Sequence, residues 1–188
     1  MAVPAGMLRR CTSCNRRDRW SGFADETIRN KRYGIAVVLA CGCQHDALRG
    51  CARSLRLRGQ HRLHMSKEQA RRRRLILSTV RDSGLRALYH EVRGVEHTAR
   101  ATCWTELIPH LVDLDVRTLA IEALDGSEIH DRANISAALA KADALGRLSY
   151  VHRSHRDEPL LWFADAVAWA AGYRGEWLTA VRDVLLDP

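Results

Sequence analysis

The chain has 188 residues, of which 46% are hydrophobic and 28% charged, and a formal net charge of +8. This length suits one packed domain and leaves no room for a second of full size, and the composition excludes a disordered or fibrous chain. The longest apolar run, Leu160 to Ala171 and broken by Asp165, falls short of the roughly 20 residues that cross a bilayer, and Met1 to Arg10 holds no signal-peptide core, so a cytoplasmic protein without a membrane partner is expected.

The 30 basic residues are nearly all arginine, whose guanidinium groups pair with phosphates in a bidentate fork, so a nucleic-acid partner is expected. A GC-rich coding sequence also enriches arginine, so charge by itself bounds non-specific binding rather than function. Six cysteines occur, Cys11, Cys14, Cys41, Cys43, Cys51 and Cys103. In a reducing compartment they predict no structural disulfides.

Residues 1–18 read as an irregular basic lead carrying Cys11-x-x-Cys14, and residues 19–188 as a single domain. Trp20 to Ala24 predicts a strand ending at Asp25-Glu26, followed by a link from Thr27 to Arg32 and a second strand over Tyr33 to Ala40. The second run is continuously apolar, which places it centrally in a sheet covered on both faces. Asp46 to Gly59 carries a weak helical pattern. Ser66-x-x-Gln69 fits a capping box ahead of a helix whose inner face is Ala70, Ile76, Leu77 and Val80, ending at Gly84.

A strand is predicted over Leu85 to Val92, and a helix over Thr98 to Leu114 that Pro109 must kink or interrupt. A buried strand follows from Arg117 to Ala123. The helix from Asp131 to Leu145 presents Ile135, Ala138, Leu139 and Ala142 and stops at Gly146, and Leu148 to Val151 forms a last short strand. Pro159 opens a helix reaching about Ala171, and Trp177 to Leu186 predicts a terminal helix. Strands alternating with helices give an α/β fold, a central mixed sheet with helices on both faces.

Asp165 is the one polar side chain of a helix that is apolar all round, hence buried. A buried carboxylate needs a partner, so Asp165 meets either an arginine in a structural pair or a metal and strong donors. Asp25-Glu26 at a strand end fits either a turn or a functional loop edge. Glu122 closes a strand ahead of Asp125, Glu128 and Asp131. Asp131 is placed to cap the next helix and Glu128 to meet its dipole, an explanation Glu122 lacks.

If adjacent strands set Asp25 beside Glu122 and Asp165 projects from a helix over the same edge, the carboxylates require a cation. Oxygen ligands suit Mg²⁺ or Mn²⁺, and such ions activate water for phosphodiester hydrolysis.

With these residues in place, the chain from about Trp20 to Gly172 resembles the bacterial domain-of-unknown-function family numbered 3800, related to the ribonuclease H-like superfamily. The resemblance lies in Phe23-Ala-Asp-Glu-Thr27, the strand Tyr33 to Ala40, Leu63-His-Met65 ahead of a basic helix, Leu119-Ala-Ile-Glu122 and Leu161-Trp-Phe-Ala-Asp-Ala-Val167. It implies a ribonuclease H-like fold with catalytic Asp25, Glu26, Glu122 and Asp165, the metal being held by Asp25, Glu122 and Asp165. Thr27 stands where the family has serine, and Trp162 where its C-terminal motif has glutamine. The expected function is a metal-dependent nuclease; the alternative is a non-catalytic nucleic-acid-binding or assembly module on the same fold.

The run Arg71 to Arg74 spans a full helical turn, so its side chains cannot share one face. Arg71, Arg72 and Arg74 are candidate nucleic-acid contacts, set against the plainer reading of a solvated basic helix. Arg73 falls on the core side, where it snorkels or pairs with a buried carboxylate. His64 either orients a phosphate or water or is a structural histidine. Cys11, Cys14, Cys41 and Cys43 supply four thiols, but a C-x-C half at the exit of a buried strand is poor tetrahedral geometry, so zinc is not expected. No Gly-rich phosphate loop, HExxH helix or nucleophile elbow occurs, which argues against nucleotide-triphosphate, zincin and α/β-hydrolase chemistry.

Overall fold

The structure, a computed structural model, describes residues 20–123 and 126–186. Strand β1 (Trp20–Arg29) and strand β2 (Arg32–Cys41) pair antiparallel along their whole lengths, from Trp20 opposite Cys41 to Arg29 opposite Arg32. The turn between them is only Asn30 and Lys31, at φ 50° and 59°, the left-handed pair that a two-residue hairpin turn uses. The expected link over Thr27 to Arg32 is therefore shorter than its polar composition indicated, and Asp25 and Glu26 lie within the hairpin.

Helix α1 (His45–Ser54) and helix α2 (Ala70–Asp82) follow, then strand β3 (Arg86–Arg93), helix α3 (Glu96–Asp113), strand β4 (Val116–Glu122), helix α4 (Ser127–Lys141), strand β5 (Ser149–Arg153), helix α5 (Leu160–Tyr173) and helix α6 (Glu176–Val181). The five strands form one sheet in the order β3-β2-β1-β4-β5. Pairing is antiparallel at β3-β2 and β2-β1 and parallel at β1-β4 and β4-β5. As expected, the sheet is mixed.

Alternation along β2 divides the core. Tyr33, Ile35, Val37 and Leu39 pack with α3 and α4 on one face; Ala36, Val38 and Ala40 pack with α1, α2, α5 and α6 on the other. Helix α5 lies on β1 and β2 beneath α1, α2 and α6, so Leu160 to Gly172 are all buried, which accounts for its apolar circumference. It approaches β1 closely at Gly172, where a Cβ would come within 2.8 Å of the Thr27 methyl.

Three local expectations are corrected and a fourth is narrowed. The capping box does not form: α2 starts after Gln69 without a side-chain cap, and the Ser66 hydroxyl instead meets His64 Nε2 at 2.8 Å, because Met65–Lys67 makes a separate 3₁₀ turn. Of the two outcomes expected at Pro109, interruption does not occur: helix α3 runs through it, with Leu107, Ile108, Leu111 and Val112 buried. Asp131 is not a cap but a fully buried residue inside α4. The terminal helix ends at Val181, and the chain then bridges Leu185 to Ala87 on edge strand β3, with Leu186 N–H donating to the Ala87 carbonyl at 2.8 Å.

Asp131 joins the α3–α4 layer to the sheet. It accepts Arg100 Nε at 2.6 Å, Arg100 Nη2 at 2.7 Å and Trp104 Nε1 at 2.8 Å, and it meets His152 Nε2 at 2.9 Å. Burial pushes its carboxyl up, but the Arg100 hydrogen bonds and charge, with His152 and Trp104, outweigh that and hold it below the ordinary value of 3.8. Asp131→Ala would leave Arg100 only its Glu26 and Tyr33 contacts and would unpair the buried Trp104 N–H and Arg100 Nε, so chemical denaturation is expected to show a loss of about 3–5 kcal/mol; a loss below about 1 kcal/mol would refute the role. Because the folded value is depressed, the stabilisation is complete above the unfolded value and disappears as pH falls through the folded one. The variant lacks that acid-sensitive share.

Candidate active site

The parallel register of β1 with β4 ends at Ala24 opposite Ile121. The next residue on each strand is acidic, Asp25 and Glu122. Both side chains turn to the sheet face on which Phe23 and Ala120 pack against the α5 layer, and the two carboxyl groups share a hydrogen bond. This is the juxtaposition that strand adjacency required. Asp165 is carried over the same edge by α5, close enough for its charge to act on Asp25.

Asp165 is buried, and among the described residues no arginine pairs with it. Its Oδ2 accepts the Met65 backbone N–H at 2.8 Å, and His64 Nδ1 stands 3.5 Å from the same oxygen. Arg73 fixes that segment from α2 by donating to the carbonyls of Met65 (2.9 Å) and Ser66 (3.0 Å) while lying over the Trp169 ring. The core-side arginine thus meets backbone carbonyls and an aromatic face rather than a buried carboxylate.

The residue that sequence reasoning missed is His155. It follows β5, whose predicted end at Val151 fell short of Arg153, so the turn beyond it went unread. His155 Nε2 contacts Glu122 Oε1 and lies 3.4 Å from Asp25 Oδ2. Asp25, Glu122 and His155 each offer a ligand atom, and these atoms all lie within 4.8 Å of one another. The signal available in the sequence was positional: His155 leaves the strand that runs parallel to the one bearing Glu122.

Trp162, which stands where the resembled motif has glutamine, is buried and donates its indole N–H to the His155 carbonyl at 2.8 Å. It anchors the backbone that presents the imidazole. Glu158 steadies the same turn, accepting Arg49 Nη2 at 2.7 Å and the Leu160 N–H at 3.1 Å.

Glu26 is placed otherwise than the motif implies. Being next to Asp25 it faces the other side of the sheet, where it is bonded to the Arg100 guanidinium and the Tyr33 hydroxyl. Arg72 bonds Glu68 (3.3 Å) and the Leu55 carbonyl, and Arg74 bonds Glu176 at 3.3 Å beside the Trp177 ring. Arg71 is exposed. Among the described residues, the arginine that bonds the acidic pair is Arg62, whose Nη1 donates to Glu122 Oε1 at 3.3 Å. Cys11 and Cys14 lie outside the described residues; the Cys41 and Cys43 sulfurs are 3.3 Å apart at the exit of β2.

Burial, then the charge of Asp165 and the hydrogen bond and charge of Glu122, push the Asp25 carboxyl well above the usual carboxylate range, against the Glu26 N–H that Oδ1 accepts at 2.7 Å. Burial also raises Glu122, but His155, Asp25 and the Arg62 guanidinium outweigh it and hold it at about 2. The two shifts are opposed, so the pair retains a proton more readily at Asp25 than at Glu122. Two carboxylates on adjacent strands cannot both ionise cheaply here without a cation.

The donor set fits a divalent ion on two counts: the ligand atoms of the three groups converge, and burial together with the neighbouring carboxylates raises Asp25. Asp25, Glu122 and His155 would hold it, with Asp165 alongside.

No protein-family model and no curated protein matches the chain. Among solved structures it is similar to the RNase HII of Archaeoglobus fulgidus, determined in a complex with PCNA, at a TM-score of 0.51 and 17% identity, over 79% of this chain and 69% of that one. The fold is ribonuclease H-like. No helix among the described residues is long and apolar enough to cross a membrane.

Because the Asp25 value is raised in the folded state, the unfolded chain releases this proton first as pH increases, and folding stability falls from the ordinary value of 3.8 up through the raised one. Asp25→Asn removes that penalty. Without added metal the variant is expected to exceed the wild type by about 0.5–2 kcal/mol at pH 8, with the gap closing toward pH 4. Thermal denaturation across that range is the check, and a gap that widens toward acid would contradict the assignment.

Proposed function

We propose that this protein is a metal-dependent phosphodiester hydrolase acting on nucleic acid, a nuclease of ribonuclease H-like type. The observation that carries the reading is the buried convergence of Asp25, Glu122 and His155 within 4.8 Å beside Asp165. A divalent cation there, Mg²⁺ or Mn²⁺, supplies Lewis-acid polarisation of a phosphoryl oxygen and acidifies water.

The chain's own residues divide the remaining work. Asp25 would have to be ionised to hold the cation, so binding would tighten as pH rises. Glu122, already ionised, is oriented by His155 and Arg62. Asp165 is held by the Met65 N–H, which fixes its carboxyl group beside the cluster. Arg62, whose side chain is 38% exposed, stands at the lip of the site, where a guanidinium can exchange its contact with Glu122 for a phosphate. Arg71 and Arg74, exposed on α2, would follow the backbone further along, with Arg72 bracing the helix.

The resemblance to the family numbered 3800 belongs to the same reading, since Phe23 to Thr27 and Leu161 to Val167 carry the acidic residues used here. The second reading, a non-catalytic nucleic-acid-binding or assembly module, draws on Trp162 and on the Arg62 contact with Glu122, because a cation already touches one acidic ligand.

Cleavage of labelled single-stranded DNA, duplex DNA, RNA and RNA/DNA hybrid with Mg²⁺ or Mn²⁺ tests the proposal. Metal-dependent cutting is expected to fall about a hundredfold or more in Asp25→Asn and in Asp165→Asn, both remaining folded. Binding without cutting of any substrate by the wild type would transfer support to the second reading.

A further inference from the structure

His155 changes the chemistry of the cluster more than its count. Two carboxylates alone form a hard oxygen site, suited to Mg²⁺, which keeps several waters and takes few protein ligands. An imidazole nitrogen is a softer donor that favours first-row transition ions. The histidine is 6% exposed, its Nε2 points between Glu122 and Asp25, and its Nδ1 is buried with no hydrogen-bond partner among the described residues. It is no surface side chain swung in by chance. Its backbone is fixed by the Trp162 indole, and its turn by the Glu158 contacts to Arg49 and Leu160.

We infer that His155 is a direct nitrogen ligand of the bound cation and biases this site toward Mn²⁺ and other first-row transition ions over Mg²⁺. The inference rests on the metal-dependent reading and narrows it. A ring that served only to orient Glu122 would leave the ion surrounded by oxygen and its preference unaltered. Trp162 then has a constructive part: in place of a side-chain amide it contributes a clamp on the loop whose imidazole enters the cluster.

Mn²⁺ is the probe, added to the metal-free full-length protein, because thiols such as those of Cys41 and Cys43 bind it poorly. Pulsed electron paramagnetic resonance is expected to show coupling to a directly bound nitrogen in the wild type. Displacing half of the Mn²⁺ is expected to require at least about a tenfold excess of Mg²⁺. His155→Asp, which retains a ligand but makes it oxygen, is expected to lose the coupling and bring that excess near parity.

Bound Mn²⁺ without nitrogen coupling in the wild type would overturn the inference, with no variant required. So would coupling and ion preference unchanged in His155→Asp, which would move the nitrogen to another histidine such as His64. If either result accompanies cleavage and Mn²⁺ binding that are both lost in Asp25→Asn, the hydrolase stands and only the role of His155 falls. If the wild type binds no Mn²⁺ at all, both fall together.

Discussion

Parallel pairing between β1 and β4 stops at Ala24 opposite Ile121, and much of the molecule is organised around that stop. Two acidic residues leave the ladder side by side, at the edge where α5 and the turn after β5 converge. Their repulsion is not relieved by an arginine between them. A proton on Asp25, a histidine against Glu122 and a peripheral guanidinium share the task. Such an arrangement contributes little to the stability of the fold, and displaced ionisable groups of this kind are what the proposed function draws on.

The opposite sheet face has the contrary character. There Asp131 is fully satisfied by Arg100, Trp104 and His152, and Arg100 reaches on to Glu26 and Tyr33. A completed network of buried charges is rigid, because moving any member leaves another unpaired. One side of the sheet is thus electrostatically closed, while the other gathers carboxylates whose charges repel, with β1 contributing a carboxylate to each.

How much of this was legible in the sequence follows from what each feature depends on. The apolar run Tyr33 to Ala40 announced a central strand, and the lone Asp165 in an apolar helix announced a buried carboxylate with special surroundings, because both rest on local pattern. The adjacency of Asp25 and Glu122 could be posed as a condition, but strand order alone meets it. The hub at Asp131 was hidden for the same reason, being defined by what other elements bring to it, and His155 left only the positional signal of following the strand beside Glu122. The capping box failed because the Ser66 hydroxyl had a competitor in His64, and the basic run on α2 proved largely intramolecular because Glu68, Glu176 and exposed carbonyls lay within its reach.

The hairpin turn at Asn30-Lys31 carries a consequence beyond its size. Side chains alternate along a strand, so a slip of one position in the β1–β2 pairing would exchange Asp25 and Glu26 between the two faces. Asp25 would then confront the Arg100 guanidinium, and Glu26 would enter the edge beside Glu122 one backbone step out of place. A turn that takes no part in the chemistry of the site therefore acts as its indexing device. Lengthening that loop by a single residue is an alteration of ligand identity as much as of shape.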